Sequence, residues 1–254
     1  MNGWLFDLGN TRLKYAPLLP NGSVGEVVAV AHDGAAFASD WTHALPRRFD
    51  TAFVSSVAPT ALRVALFDAL CARCGRISRA ATQAGFADRP VDGVRIAYAD
   101  PERLGVDRFL AMLGARARGT LPWLVVGVGT ALTIDLLDDA GTHRGGRIAL
   151  SPTAMREALH ARASQLPLIG GRYVEFATDT DDALASGCDG AAIALIEHSM
   201  RIAEGLLGTR PGLLVHGGGG YALIEHLDGA ILAPTLVLEG LARWAGAEDR
   251  AMDV

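Results

Sequence analysis
The chain has 254 residues, half of them hydrophobic and 20% charged, with a formal net charge of −5. That length buries a large core, as one big domain or two small ones, and the acidic balance argues against a basic nucleic-acid surface. Three cysteines make no disulfide framework and read as reduced thiols of a cytoplasmic protein.

In chain order, "GWLFDLG" reads as a short buried strand. "RLKYAPLL", "NG" and "GEVVAVAH" read as a hairpin, since Asn-Gly accepts positive φ in a tight turn. "AAFASDWTHALPRRF" has helical spacing, and "TAFVSSV" is a strand ended by Pro59. "TALRVALFDALCARCG" is a helix with a Thr start and a Gly stop. Its C-x-x-C, Cys71 and Cys74, has no second pair to complete a zinc site and reads as core or helix packing. "VRIAYAD" reads as a strand and "PERLGVDRFLAMLGARARG" as a turn into a helix. "PWLVVGVGTALTIDLL" is a strand, a glycine turn and a second strand, too short and Gly-rich for a membrane span. "TAMREALHARASQL" and "GAAIALIEHSMRIAEGLLG" are helices. "GLLVHGGGG" is a strand into a glycine-rich turn, and "ILAPTLVLEGLARWAGA" closes the chain. Alternation of strands and helices makes the class α/β. The N-terminus has no basic segment followed by an apolar run, so no signal peptide is expected.

An internal repeat organises these elements. With Gly9 aligned to Gly129, "WLFDLGNTRLKYAPLLPNGS" and "WLVVGVGTALTIDLLDDAGT" share a strand, a glycine turn, a second strand and a hairpin turn. Two such units half a chain apart predict a duplicated domain, divided as residues 1–118 and 119–254. In each copy, the strand-end turn exposes backbone amides beside hydroxyls, and glycine lets a phosphate come close. Asp7 cannot hold a phosphate directly, but it can hold Mg2+, and Lys14 adds positive charge. The spacing is neither a Walker P-loop nor a G-x-G-x-x-G opening a helix. Two facing turns are what a cleft between duplicated halves needs to clamp the phosphates of ATP.

The second candidate site is "YADPERLGVDRFLAMLGA". Asp107 and Arg108 open an apolar helix just after Gly105. A carboxylate there is favoured by the macrodipole whatever its function. Functionally, Asp107 can take a proton from a hydroxyl while Arg108 grips a carboxylate bidentately.

These residues carry a resemblance. "DLGNTRLK", "YADPERLGVDR", "GTALTID", "GGRIALSP" and "TDTDDALASG" follow the order found in type III pantothenate kinases, of the acetate kinase/sugar kinase/Hsp70/actin superfamily. The resemblance implies duplicated ribonuclease-H-like halves with an active-site cleft between them. It implies ATP-dependent phosphorylation of the pantothenate 4′-hydroxyl, the first step of coenzyme A biosynthesis. It also implies a homodimer needing Mg2+ and a monovalent cation, K+ or NH4+, with no membrane and no direct nucleic-acid partner. By position, Asp7, Leu8, Gly9, Asn10, Thr11, Arg12, Leu13 and Lys14 match the first phosphate loop, with Asp7 as the Mg2+ residue. Gly129 and Thr130 match the second. Tyr98, Gly105, Val106, Asp107 and Arg108 match the pantothenate pocket, with Asp107 as proton acceptor, and Thr180 matches a further pantothenate contact. "HGGGG", 216–220, falls where the adenosine-side glycines are expected.

One departure stands out. The second loop usually reads D-x-G-T, but here it is Gly127-Val128-Gly129-Thr130. The missing carboxylate resembles the monovalent-cation ligand. The cation is then left to backbone carbonyls, Asp135 or water, and Gly127→Asp is expected to restore tight binding. The rival readings are a related small-molecule kinase and a catalytically weakened member acting as a transcriptional accessory factor.

Overall fold
The structure, a computed structural model, describes residues 2–38, 40–82 and 92–252, the side chains of 249–252 excepted. It divides into two compact units, residues 1–120 with 235–254, and residues 121–234. The final helix therefore belongs to the first unit, which corrects the linear division at 118–119.

In the first unit, β1 (Gly3–Leu8), β2 (Arg12–Leu18), β3 (Val28–Ala31), β4 (Phe49–Ser56) and β5 (Cys74–Arg79) form one sheet in the order β3-β2-β1-β4-β5. β1 pairs antiparallel with β2 and parallel with β4. Aromatic rings fill one side of it. Phe6 stacks on Tyr15 with centroids 5.9 Å apart, and the Tyr15 hydroxyl donates to the Trp41 carbonyl at 2.7 Å. Burial of such rings dominates core energetics. α1 (Thr60–Cys71) lays Leu62, Leu66 and Leu70 into this core at a spacing of four, the expected apolar stripe.

Three local expectations change. The 35–49 segment forms only a short 3-10 helix, Trp41–Ala44, capped by the Asp40 side chain. Pro46 follows too closely for the helix to propagate. In "VRIAYAD" only Val94 and Arg95 make bridges; among the described residues the segment joins no named strand. Cys71 ends α1 exposed while Cys74 opens β5 half-buried. The pair therefore spans a helix end and a strand instead of packing in one helix.

α2 (Val106–Ala117) carries the second candidate site at its start and packs along α6 (Leu236–Met252). The two helices touch at backbone distance. A Cβ added to Gly240 would strike the Leu110 carbonyl, and one added to Gly114 the Leu236 carbonyl. Beyond the crossing, Arg118 grips Glu239 bidentately at 2.9 and 2.7 Å.

The second unit repeats the plan. β6 (Trp123–Val128), β7 (Ala131–Leu137), β8 (His143–Leu150), β9 (Gly212–His216) and β10 (Ala230–Leu232) form a sheet ordered β10-β9-β6-β7-β8. β6 is antiparallel to β7 and parallel to β9, so each strand has its counterpart in the first sheet. α3 (Pro152–Arg162) follows β8, and the short α5 (Gly220–Leu223) follows β9. α4 (Thr180–Leu207) begins ten residues before the helix legible in the sequence. Its extra turns rest on the Asp179 cap, which accepts from the Asp182 amide at 3.0 Å, and on Asp181 and Asp182 in the first turn, favoured by the macrodipole. Among the described residues, no helix is long and apolar enough to cross a membrane.

Candidate active site
β1 and β2 set Leu8 opposite Leu13 and Asp7 opposite Lys14. Both leucines are fully buried, so they anchor the turn and offer a ligand only their backbone. Between them the Gly9 amide donates to the Arg12 carbonyl at 3.0 Å. Asn10, Thr11 and Arg12 stand exposed at the tip. His32, just after β3, meets the Gly9 carbonyl through Nε2 at 2.9 Å, and its amide donates to the Thr11 carbonyl at 3.3 Å. Three carbonyls of the turn are thus engaged, which suits the tip to an anion.

Asp7 is half-buried in a cross-strand row with Lys14 on β2 and Ser55 on β4. Burial pushes its carboxyl up to about 6; Lys14 opposes the shift, the Asp107 charge adds to it, and the Ser55 hydroxyl offsets part. That hydroxyl is itself buried without a well-aligned hydrogen bond.

The segment before α2 is clamped locally. The Thr82 hydroxyl donates to the Leu104 carbonyl at 2.7 Å, and Gly105 takes the N-cap position without a side chain. Its bareness is required by its neighbour: a Cβ there would lie 2.7 Å from Asp107 Oδ1. The Asp107 carboxylate thus curls back over the Gly105 backbone at the positive end of the helix. Arg108 is 5% exposed. Its Nη1 donates to the Tyr98 hydroxyl at 3.3 Å, and its guanidinium carbon lies 6.0 Å from the Tyr98 ring centroid. Val106 supplies the first helical residue. The structure therefore brings Tyr98, Gly105, Asp107 and Arg108 together, with Asp7 near enough to sense the Asp107 charge.

In the second unit the Gly129 amide donates to the Ala131 carbonyl at 3.0 Å, leaving Gly129 and Thr130 exposed. The Ser151 hydroxyl donates to the Thr130 carbonyl at 3.2 Å and accepts from the Ala154 amide at 3.3 Å. One serine thus caps α3 and holds the turn. The 216–220 glycines pack onto the same place. The Gly219 amide donates to the Val128 carbonyl at 3.0 Å. Gly217, at φ 88°, leaves no room for a Cβ against that carbonyl. Thr180 is exposed at the start of α4 and lines an open groove of about 440 Å³ with Leu166, Ala177 and Leu184.

Comparison with known proteins decides what these turns belong to. The family model described as type III pantothenate kinase matches residues 4–201. A type III pantothenate kinase of Stenotrophomonas maltophilia is 59% identical over 245 residues, covering 96% of this chain and 98% of the relative. The chain belongs to the type III pantothenate kinase family. Solved structures agree on the fold. A Campylobacter jejuni protein assigned to the Baf family of transcriptional activators superposes with a TM-score of 0.61, covering 99% of this chain and all of that one, at 18% identity. A Sinorhizobium meliloti protein assigned as a 2-dehydro-3-deoxygalactonokinase gives 0.57 over 99% and 97%, at 16% identity. At such identities they speak for the fold alone, the duplicated α/β architecture seen in the two sheets.

For a pantothenate kinase of this family, two sequence expectations about the cation need correction. Asp135 is no spare ligand. It is buried and bonded to His143 Nε2 at 2.9 Å. Nor is Gly127 an empty seat waiting for a carboxylate. A Cβ there would lie 2.7 Å from Thr133 Oγ1 and 2.9 Å from His216 Nε2, so a new Asp would have to displace both side chains. Sequence reasoning also missed His32, Ser55 and Ser151. Ser55 carried a weak signal, a serine pair closing an apolar strand. Ser151 lies inside "GGRIALSP" without having been singled out there, and His32 sits in a segment without a motif.

Proposed function
We propose that this chain transfers the γ-phosphoryl group of ATP to the 4′-hydroxyl of pantothenate, opening coenzyme A synthesis, with Asp107 as proton acceptor. The observation that supports the site reading is geometric: the buried Arg108 guanidinium meets the Tyr98 hydroxyl at 3.3 Å, beside the Asp107 carboxylate folded over Gly105 at the start of the same helix. Arg108, buried and steered by Tyr98, grips the pantothenate carboxylate in two-pronged fashion. Asp107 accepts the hydroxyl proton as the new P–O bond forms. In the first unit the amides of Gly9 to Arg12 and the Lys14 ammonium balance phosphate charge. In the second unit Gly129, Thr130 and the 217–219 turn offer amides and a hydroxyl to the nucleotide. Thr180 adds a pantothenate contact.

The residues present fit a divalent cation. Asp7 resists ionisation where it is and gains from a nearby cation, and the Ser55 hydroxyl lies beside it. Among the described residues no cluster of three His, Cys, Asp or Glu could hold a metal. Asp7 would therefore hold Mg2+ together with phosphate and water, the usual manner for this ion, and the ion would neutralise charge on the transferring phosphoryl group.

The kinase works as a homodimer through its second unit. The edge strand β8 exposes Ile148 at 66%, and the segment before α4 exposes Ile169 at 84% and Phe176 at 96%. An unpaired strand edge with an exposed apolar side chain supports docking of a second copy there. The free cysteines and an ATP-dependent reaction support a cytoplasmic location.

A coupled ADP-release assay tests the reading. ADP release depends on pantothenate, and Asp107→Asn lowers kcat by roughly 10²-fold or more while nucleotide affinity holds. Release that ignores pantothenate refutes the substrate, and full turnover in the variant refutes the base.

A further inference from the structure
The two sheets place corresponding residues in corresponding rows. In the first unit the row is Lys14–Asp7–Ser55 across β2, β1 and β4. In the second it is Thr133–Gly127–His216 across β7, β6 and β9. Gly127 is the counterpart of Asp7, by strand and by its distance from the turn glycine. Side chains directly opposite across adjacent strands share a face. Thr133 and His216 close over the bare Gly127 from both sides, to within 2.7 and 2.9 Å of where its Cβ would be. The row therefore offers a hydroxyl and an imidazole where its twin offers a carboxylate. The carboxylate two residues along β7, Asp135, is engaged by His143. With one neutral hydroxyl oxygen and no carboxylate, the row is a poor seat for a monovalent cation, which needs several oxygen ligands and gains from an anionic one. It suits an anion: an imidazole N–H or a hydroxyl donates to a phosphate oxygen. His216 is half-buried and leads directly into the glycine turn packed on Val128.

We propose that His216 makes a direct contact to a phosphate oxygen of the bound nucleotide, and that this kinase works without K+ or NH4+. The proposal rests on reading the Gly129 turn as a nucleotide phosphate site.

The test measures binding of a non-hydrolysable ATP analogue with Mg2+ to the whole protein by calorimetry. The salts are potassium, ammonium or tetramethylammonium chloride at equal ionic strength, the last cation being too large, and without N–H donors, for a site of oxygen ligands sized for K+ or NH4+. The wild type is expected to bind equally within about twofold in all three and to turn over pantothenate equally. His216→Ala is expected to weaken nucleotide binding by about tenfold or more, the effect of one hydrogen bond to a charged group. His216→Gln, which keeps an N–H donor, is expected to recover most of it. Melting of each variant without nucleotide checks folding, and the wild-type salt comparison stands without any variant. Binding or turnover that rises tenfold with potassium or ammonium overturns the proposal, as does undiminished binding by His216→Ala. A wild type that binds no nucleotide in any salt overturns the phosphate-site reading, and the proposal with it.

Discussion

Gly105→Ala offers a selective test of the carboxylate proposed as the base, Asp107. Gly105 has φ −53° and ψ 133°, a conformation any residue adopts, so the substitution introduces no backbone strain. Alanine is a poorer N-cap than glycine, a cost of about 1 kcal/mol or less. What changes is space. The new Cβ would lie 2.7 Å from Asp107 Oδ1, where ordinary contact begins at 3.4 Å. The carboxylate must therefore retreat by about 0.7 Å or turn away. Misplacement by about 1 Å in a reacting geometry costs on the order of 10²-fold. We therefore expect kcat to fall about 10- to 100-fold. Calorimetric nucleotide affinity should change by no more than about twofold, since neither phosphate turn is touched. Melting should fall by only a few degrees, about 1 kcal/mol in a protein of this size. The assay is steady-state ADP release at saturating pantothenate and ATP. Wild-type kcat in Gly105→Ala would show that the reaction does not depend on where Asp107 holds its carboxylate.

Three further outcomes follow from the same geometry. Arg108→Lys loses the two-pronged grip and should raise KM for pantothenate more than for ATP. Pantetheine, which lacks the carboxylate, should show little of that penalty, and an equal penalty would refute the assignment. Asp7 has its carboxyl raised from 3.8 to about 6, chiefly by burial. The folded protein thus holds this proton more tightly than the unfolded chain, and ionisation removes stability as pH climbs from 3.8 through 6. Asp7→Asn should therefore melt higher than the wild type at pH 7 but not at pH 4, while losing Mg2+-dependent nucleotide binding. In the wild type, that Mg2+-dependent binding should weaken about tenfold per pH unit below 6, and no such slope means Asp7 is not the metal residue. Phe176→Glu puts a charge on the most exposed large apolar side chain described and should shift sedimentation towards the monomer. An unchanged dimer would place the interface elsewhere.

The sequence by itself determined the duplication, and for a physical reason. A strand, a glycine turn and a second strand are local patterns, set by apolar alternation and by the few residues a tight turn accepts. Written twice, they gave two sheets of one order. The same locality made Asp107 and Arg108 legible, since both sit in the first turn of a helix with a bare N-cap. Local pattern failed where a partner had to be supplied. "VRIAYAD" alternates like a strand but among the described residues joins no named strand, and α4 starts ten residues early because Asp179 caps it and charges suit its end.

Tertiary structure alone decided three things. It returned the last helix to the first unit, through a crossing that only Gly114 and Gly240 permit. It set Asp7 beside Ser55 and within reach of the Asp107 charge, raising its pKa through burial that no stretch of sequence displays. It also filled the place over Gly127 with Thr133 and His216, from strands six and 89 residues further along the chain. Read as letters, Gly127 is a missing carboxylate. In the folded sheet its neighbours on either side replace that carboxylate with donors, because cross-strand register, and not sequence distance, determines which side chains share a face.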